Sequence, residues 1–214
     1  MSIRVLIADD HKVVADGLRH LLQAENGIEV VDTVRSGHDA IRRTMELHPD
    51  VILMDSNMPD LNGIEATRII GERYPEARVL MLSVHSSPMH IVRALRAGAA
   101  GYVPKSSAGS DVVDAIRSVR GGKRYLHPSI AEAVLAELVE PAAVEDPVAR
   151  LSSRERQVLQ LVAEGKSVSD IAVSLSISPR TVETYRARMM EKLAIRDVPG
   201  LVKFAILHGI TSLE

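Results

Sequence analysis

The chain has 214 residues, 46% of them hydrophobic, with 26 basic against 28 acidic side chains and no cysteine. That length holds one large or two small domains with ordinary cores, and the lack of thiols excludes disulfides and thiolate metal sites. The near-neutral average hides an asymmetry: residues 1–150 carry 17 Lys plus Arg against 21 Asp plus Glu, net −4, whereas residues 151–214 carry 9 against 7, net +2, so the two parts point to different partners. No run approaches the roughly eighteen apolar residues of a membrane span, and the amino-terminal segment lacks a signal-like pattern. A soluble protein of the cytoplasm without membrane partners is expected.

In chain order, Ile3–Ala8 is a short apolar run that stops at Asp9-Asp10. Val13, Val14, Leu18, Leu21 and Leu22 then recur at helical spacing until Asn26-Gly27 ends the pattern. A second strand is predicted over Ile28–Val34 and a helix over 39–47, closing before Pro49. Val51-Ile-Leu-Met-Asp55 is a buried-strand pattern ended abruptly by an acid and followed by Ser-Asn-Met-Pro59. The helix over Gly63–Arg73 turns Ile64, Ile69 and Ile70 inward. Arg78–Ser83 reads as a strand, 89–96 as a helix ended by Gly98, 101–103 as a short strand and 111–120 as a helix stopped by Gly121-Gly122. Five strands alternating with five helices predict an α/β domain with a five-stranded, doubly wound parallel sheet.

Such sheets present their chemistry beyond the carboxyl ends of the strands. There the sequence places Asp9 and Asp10 after the first strand, Asp55 after the third, Ser83 after the fourth and Lys105 after the fifth. Each alone has an ordinary structural reading: a helix cap, a turn residue, a solvated charge. Together they favour a site, because clustered carboxylates stay ionised only beside a cation, and an oxygen-only ligand set favours Mg²⁺. Asp10 and Asp55 would supply carboxylate ligands and Asn57 its backbone carbonyl, with Asp9 one step back from the ion. Phosphoryl transfer to Asp55 then becomes plausible chemistry, with Lys105 neutralising developing charge and the Ser83 hydroxyl donating to a phosphoryl oxygen.

These residues, with Met58-Pro59 after Asp55 and with Gly101-Tyr102-Val103-Pro104-Lys105, resemble the receiver domain of two-component response regulators over about the first 120 residues. The resemblance implies that Asp55 accepts a phosphoryl group from a cognate histidine kinase. It further implies that Ser83 moves toward that group while Tyr102 turns inward as a switch. Pro104 stands where the family often has an aliphatic residue, and Ser106 where many receivers have proline. Asn57 and His85 occupy positions that vary in the family and influence phosphoryl lifetime.

An apolar-striped helix is predicted over 128–138, and the stretch 140–147, with two prolines and three acids, has linker composition. The expected division is a phosphoacceptor domain over 1–122, a linker with a short helix over 123–147 and a second domain over 148–214. Ser152 with Glu155 and Ser167 with Asp170 form capping boxes, while Ser178 precedes Pro179 at a third helix start. Ile177 and Val182 are spaced as a hydrophobic staple, and Val158, Leu159, Val162, Ile171, Ala172 and Leu175 supply a shared core. The pattern is a helix-turn-helix. On its last helix Val182, Tyr185, Met189 and Leu193 share the inward face, and Arg180, Glu183, Thr184, Ala187 and Arg188 point away.

Leu151-Ser-Ser-Arg-Glu-Arg-Gln-Val-Leu, Glu164-Gly-Lys-Ser, Asp170-Ile-Ala and Ser178-Pro-Arg-Thr-Val-Glu-Thr-Tyr-Arg-Ala-Arg resemble the LuxR-type DNA-binding domain. That implies an all-α, four-helix domain contacting double-stranded promoter DNA through Ser178, Arg180, Thr181, Glu183, Thr184, Arg186, Ala187, Arg188 and Lys192. A final helix after Pro199 carries Leu201, Val202, Ala205 and Ile206, either as core or as a dimer contact. The whole chain is similar to the NarL/FixJ class of response regulators. The expectation is a transcription factor, not an enzyme, controlled by phosphorylation of Asp55, pairing on activation, with RNA polymerase as a further partner. Two rivals stand beside it. One is a DNA-binding regulator whose receiver is an unphosphorylated dimerisation module. The other is an aspartyl-phosphate phosphatase, disfavoured because Asn57 stands where such enzymes need a second acid.

Overall fold

The computed structural model describes residues 2–85, 87–139 and 146–211, in two compact units divided between residues 141 and 142. The front unit alternates β1 (Ile3–Ala8), α1 (Lys12–Gln23), β2 (Ile28–Val34), α2 (Gly37–Leu47), β3 (Val51–Asp55), α3 (Gly63–Arg73), β4 (Arg78–Ser83), α4 (Pro88–Arg96), β5 (Gly101–Pro104) and α5 (Gly109–Arg120). It then adds β6 (Tyr125–Leu126) and α6 (Pro128–Val139). All pairings are parallel, in the order β2-β1-β3-β4-β5-β6.

The strands read as apolar runs because both faces are covered. On one face Leu6, Ile52, Met54 and Met81 pack with Ala40, Ile64, Ile70 and Ile91 of α2, α3 and α4. On the other, Val5, Ile7, Leu53, Leu80 and Leu82 pack with Ala15 and Leu22 of α1 and with Val112, Val113 and Ile116 of α5. Side-chain caps set the starts of α2 and α3. The Ser36 side chain accepts the Asp39 N–H, so α2 begins at Gly37 and not at 39, and Asn62 accepts the Glu65 N–H at the start of α3.

The expected five strands and the expected linker start are both corrected. Tyr125 and Leu126 pair with Gly101 and Tyr102, making a sixth strand. Ile130 and Val134 of α6 are buried in the core that contains Tyr102 and Ile91. The edge of β5 and the outer side of α4 offered apolar surface, and the segment read as linker covers it. Of the remaining linker stretch, 140–145 lies outside the described residues.

The rear unit has a 3₁₀ turn (Pro147–Arg150) and four helices, α7 (Ser153–Ala163), α8 (Val168–Leu175), α9 (Pro179–Leu193) and α10 (Val198–Leu207). Both expected capping boxes form, Ser152 with Glu155 and Ser167 with Asp170, and the Ser178 hydroxyl accepts the Thr181 N–H at the start of α9. The core joins Val158, Leu159, Ile171, Leu175, Val182, Met189, Leu201 and Ala205, with Ile177 packed against it. Among the described residues no helix is long and apolar enough to cross a membrane.

Candidate functional site

The sheet order sets β1, β3, β4 and β5 side by side, so the residues just beyond their carboxyl ends converge. Asp9 and Asp55 are almost fully buried, at 2% and 3% exposure. Lys105 Nζ lies 2.7 Å from Asp9 Oδ2 and 2.9 Å from Asp55 Oδ2. Pro104 and Ser106 do not divert it, because the Lys105 N–H donates to the Ser83 carbonyl at 2.8 Å and extends the β4–β5 ladder. Gly63 is required here, since a Cβ at that position would overlap the Asp55 carbonyl oxygen.

One ammonium shared among several acids leaves charge uncompensated. Burial, reinforced by the Asp9 charge, pushes the Asp55 carboxyl up to about 6 against the opposing pull of Lys105. For Lys105 burial works against the ammonium, but Asp55 and Asp9 outweigh it and raise its pKa. The two shifts are compatible because Lys105 answers to both acids, while Asp55 has only a share of one cation. Asp9 Oδ2, Asp10 Oδ1 and Asp55 Oδ2 are buried oxygens without a well-formed hydrogen bond. Asp9, Asp10, His11 and Asp55 offer ligand atoms within 4.8 Å of one another. These donors fit a divalent cation, which would supply the missing positive charge.

Ser83, Tyr102, Asn57 and His85 form a second, linked group. Ser83 Oγ lies 2.6 Å from Ser56 Oγ and accepts the His85 N–H at 3.0 Å. Tyr102 is fully buried, its hydroxyl donating to the His85 carbonyl at 2.6 Å. Tyr102 thus lies inward in this structure, and burial raises the phenol's pKa. Asn57 Nδ2 donates to His85 Nε2 at 2.9 Å, consistent with a neutral ring whose pKa burial lowers. His90, which sequence reasoning passed over, packs against His85 with ring centroids 4.9 Å apart. Both its ring nitrogens are buried without a hydrogen-bond partner, and burial, then His85 and Arg93, push its pKa down to about 3.

On α9, Val182 and Met189 are fully buried and Tyr185 and Leu193 partly so. Ser178, Arg180, Glu183, Thr184, Ala187 and Arg188 are exposed, Thr181 and Arg186 half-buried. Arg186 lies 3.5 Å from Glu183, and the Thr184 hydroxyl donates to the Arg180 carbonyl. Lys192 differs from the other candidates: its Nζ contacts the buried Glu155 Oε2 at 2.7 Å, at the base of the α7 capping box. The stripe on α10 divides. Leu201 and Ala205 are core, whereas Val202 and Ile206, with Pro199, Lys203 and Leu207, line an apolar groove of about 420 Å³.

Family models match both units: the response regulator receiver domain over residues 5–117, and the bacterial regulatory proteins of the luxR family over 149–205. The chain belongs to the LuxR-type response regulators. It is 40% identical over 212 residues to the response regulator UvrY of Escherichia coli K12, covering 99% of this chain and 97% of that protein. Among solved structures, a LuxR-family two-component response regulator from Aurantimonas is 36% identical, with a TM-score of 0.63 over 65% of this chain and all of that one. RcsB of Salmonella enterica serovar Typhimurium, solved on a promoter with the phosphomimetic BeF₃⁻, is 25% identical, with a TM-score of 0.66 over 95% of this chain and 98% of that one.

Within this response regulator of the NarL/FixJ class, Asp9, Asp10, Asp55 and Lys105 come together in one pocket. Ser83 belongs to the adjoining Ser56–His85–Tyr102 group. Sequence reasoning missed His11 in the pocket. The available signal was its place directly after the acid pair, at the mouth of α1.

Proposed function

We propose that this response regulator is a cytoplasmic transcription factor in which Asp55 takes a phosphoryl group from a cognate histidine kinase, and that this modification controls promoter binding by the rear unit. The observation that carries the reading is the buried Asp55 carboxylate held 2.9 Å from Lys105 among two further acids. In the transfer, an Asp55 carboxylate oxygen forms a bond to phosphorus as the bond to the kinase's histidine nitrogen breaks. Lys105 neutralises charge on the phosphoryl oxygens, and the Ser83 hydroxyl leaves Ser56 to donate to one of them. Mg²⁺, held by Asp10, Asp55 and the Asn57 carbonyl with Asp9 behind them, would supply the remaining positive charge when bound. Asn57 offers no carboxylic acid to protonate a leaving group, so the protein is a phosphoacceptor and not a turnover phosphatase.

Phosphoryl-Asp55 brings about −1.5 to −2 charge into a pocket whose acids already compete for one lysine, which shifts the population of Ser83 and Tyr102 arrangements. The exposed face of α9, with Arg180 and Arg188 to bind phosphates and Glu183 and Thr184 near base edges, enters the major groove. The apolar groove on α10 supports pairing of two copies on paired half-sites, and RNA polymerase is the partner that would read the bound dimer.

The test is intact-mass measurement after incubation with Mg²⁺ and a small phosphodonor, for wild type and Asp55→Ala. Wild type gains one phosphoryl group and Asp55→Ala none; an unmodified wild type would favour the reading in which the receiver is a dimerisation module alone.

A further inference from the structure

We infer that the cation seat of this response regulator includes the imidazole of His11, so that it accepts an imidazole-preferring divalent transition ion with His11 Nδ1, Asp10 and Asp55 as ligands. This rests on the phosphoacceptor reading of the pocket and extends it to which ions the pocket prefers. His11 stands at the N-cap of α1, yet its side chain makes no capping hydrogen bond. Its ring is turned to the acids instead: Nδ1 lies 2.9 Å from Asp10 Oδ1, 3.4 Å from Asp9 Oδ1 and 3.8 Å from Asp55 Oδ2.

The His11 separations from Asp10 and Asp9 are those of neighbouring ligands on a single ion, and that from Asp55 lies between the neighbouring and opposite distances. With bonds of about 2.1 Å, neighbouring donors stand about 3.0 to 3.4 Å apart and opposite donors about 4.2 Å. Of the carboxylate oxygens, Asp9 Oδ1 accepts the His11 N–H, and Asp9 Oδ2 and Asp55 Oδ2 both face Lys105, whereas Asp10 Oδ1 faces His11 and not the lysine. A nitrogen donor beside two carboxylates adds little for Mg²⁺, which keeps oxygen ligands and water, but favours ions such as Ni²⁺, Cu²⁺ and Zn²⁺.

The competing explanation is an ion pair between protonated His11 and Asp10, and it predicts the opposite sign. Removing a cationic ring from an acidic pocket would tighten binding of every cation, whereas removing a ligand loosens those that use it. His11 is 63% exposed, so its replacement leaves the core intact. The experiment uses full-length wild type, His11→Ala and Asp10→Asn, with Ni²⁺ or Mg²⁺ titrated alone by calorimetry and Cu²⁺ added alone for electron–nuclear double resonance. Expected are a directly bound ¹⁴N on Cu²⁺ in wild type that His11→Ala abolishes, and a loss of Ni²⁺ affinity of about tenfold in His11→Ala with Mg²⁺ not weakened. Asp10→Asn should weaken both ions. No bound ¹⁴N in wild type, equal or tighter Ni²⁺ binding by His11→Ala, or Ni²⁺ binding indifferent to Asp10→Asn would each overturn the inference. Phosphoryl uptake with Mg²⁺, measured on the same proteins, keeps the two readings separate: uptake without the ¹⁴N signal retires only the His11 ligand, and the signal without uptake retires only the phosphoacceptor.

Discussion

Asp55 and His90 carry opposite protonation penalties, and the pH dependence of stability separates them. The folded Asp55 carboxyl titrates at about 6 against an ordinary value of 3.8. Between those values the folded molecule holds a proton that the unfolded chain has released, so this contribution declines as pH rises through the window and stays lost above it. A gap of about two pH units corresponds to roughly 3 kcal/mol. Asp55→Asn is therefore expected to stabilise the cation-free protein at pH 7.5 by about 1–3 kcal/mol in urea unfolding with chelator present; a destabilised variant would mean that the buried charge is fully compensated. For His90 the sign reverses, because its folded value of about 3 lies below the ordinary 6.5. Its contribution is complete above pH 6.5 and falls as pH drops toward 3, so His90→Leu should flatten the acid side of the profile. Elsewhere, Lys192 illustrates how one residue can look like a DNA contact and act in the fold. Glu155 is buried and accepts from both Lys192 and the Ser152 N–H, and Lys192→Ala leaves that carboxylate short of a partner. A loss of about 1–3 kcal/mol in the rear unit is expected, with DNA affinity reduced less than in Arg188→Ala.

At the scale of elements, β6 and α6 decide where the front unit ends. Val134 is fully buried and Ile130 nearly so, in one cluster with Tyr102 and Ile91. A receiver fragment stopped at residue 122 exposes that surface, and one stopped at 139 keeps it covered. The longer fragment is expected to have the higher denaturant midpoint, by several kcal/mol of stability given two large-to-exposed burials and a lost strand pairing; equal midpoints would show α6 to be a passenger. This is also where sequence reading fell short, and the reason is physical. The paired runs Val51 to Asp55 and Arg78 to Ser83 announce themselves because a strand covered on both faces is apolar throughout, and Ser152, Ser167 and Ser178 mark helix starts because a short side-chain acceptor there takes a free N–H of the first turn. A two-residue strand such as Tyr125–Leu126 has no period to detect. Whether the apolar side of α6 meets α4 or solvent is a tertiary fact that its own residues do not state. The pocket was legible for a matching reason: its members come at or directly after strand ends, which chain order reveals, whereas His90 sits in the first turn of α4, where only packing strips its ring of partners.

At the scale of the molecule, the acidic front and basic rear should separate in their dependence on salt. On the proposed reading, phosphate contacts by Arg180, Arg186 and Arg188 would release counterions, so the logarithm of DNA affinity should fall linearly with the logarithm of salt, by about 0.9 per phosphate neutralised. Those three arginines lie in the rear unit, on α9, so a fragment of residues 146–214 is expected to keep the full-length slope. Arg188→Ala should lower it by about one across unrelated sequences. Phosphorylation acts from another place, in a pocket whose chemistry holds no DNA ligand, so it changes the population of binding-competent molecules and leaves the contacts of each bound molecule unaltered. The consequence is specific: treating the full-length protein with Mg²⁺ and phosphodonor moves the line and steepens it by no more than the doubling that pairing of two copies brings. Asp55→Ala removes that shift and preserves the slope. A slope that steepens on phosphorylation by more than the doubling that pairing of two copies brings would mean that the front unit itself reaches the DNA backbone, and the division of labour between the units would have to be redrawn.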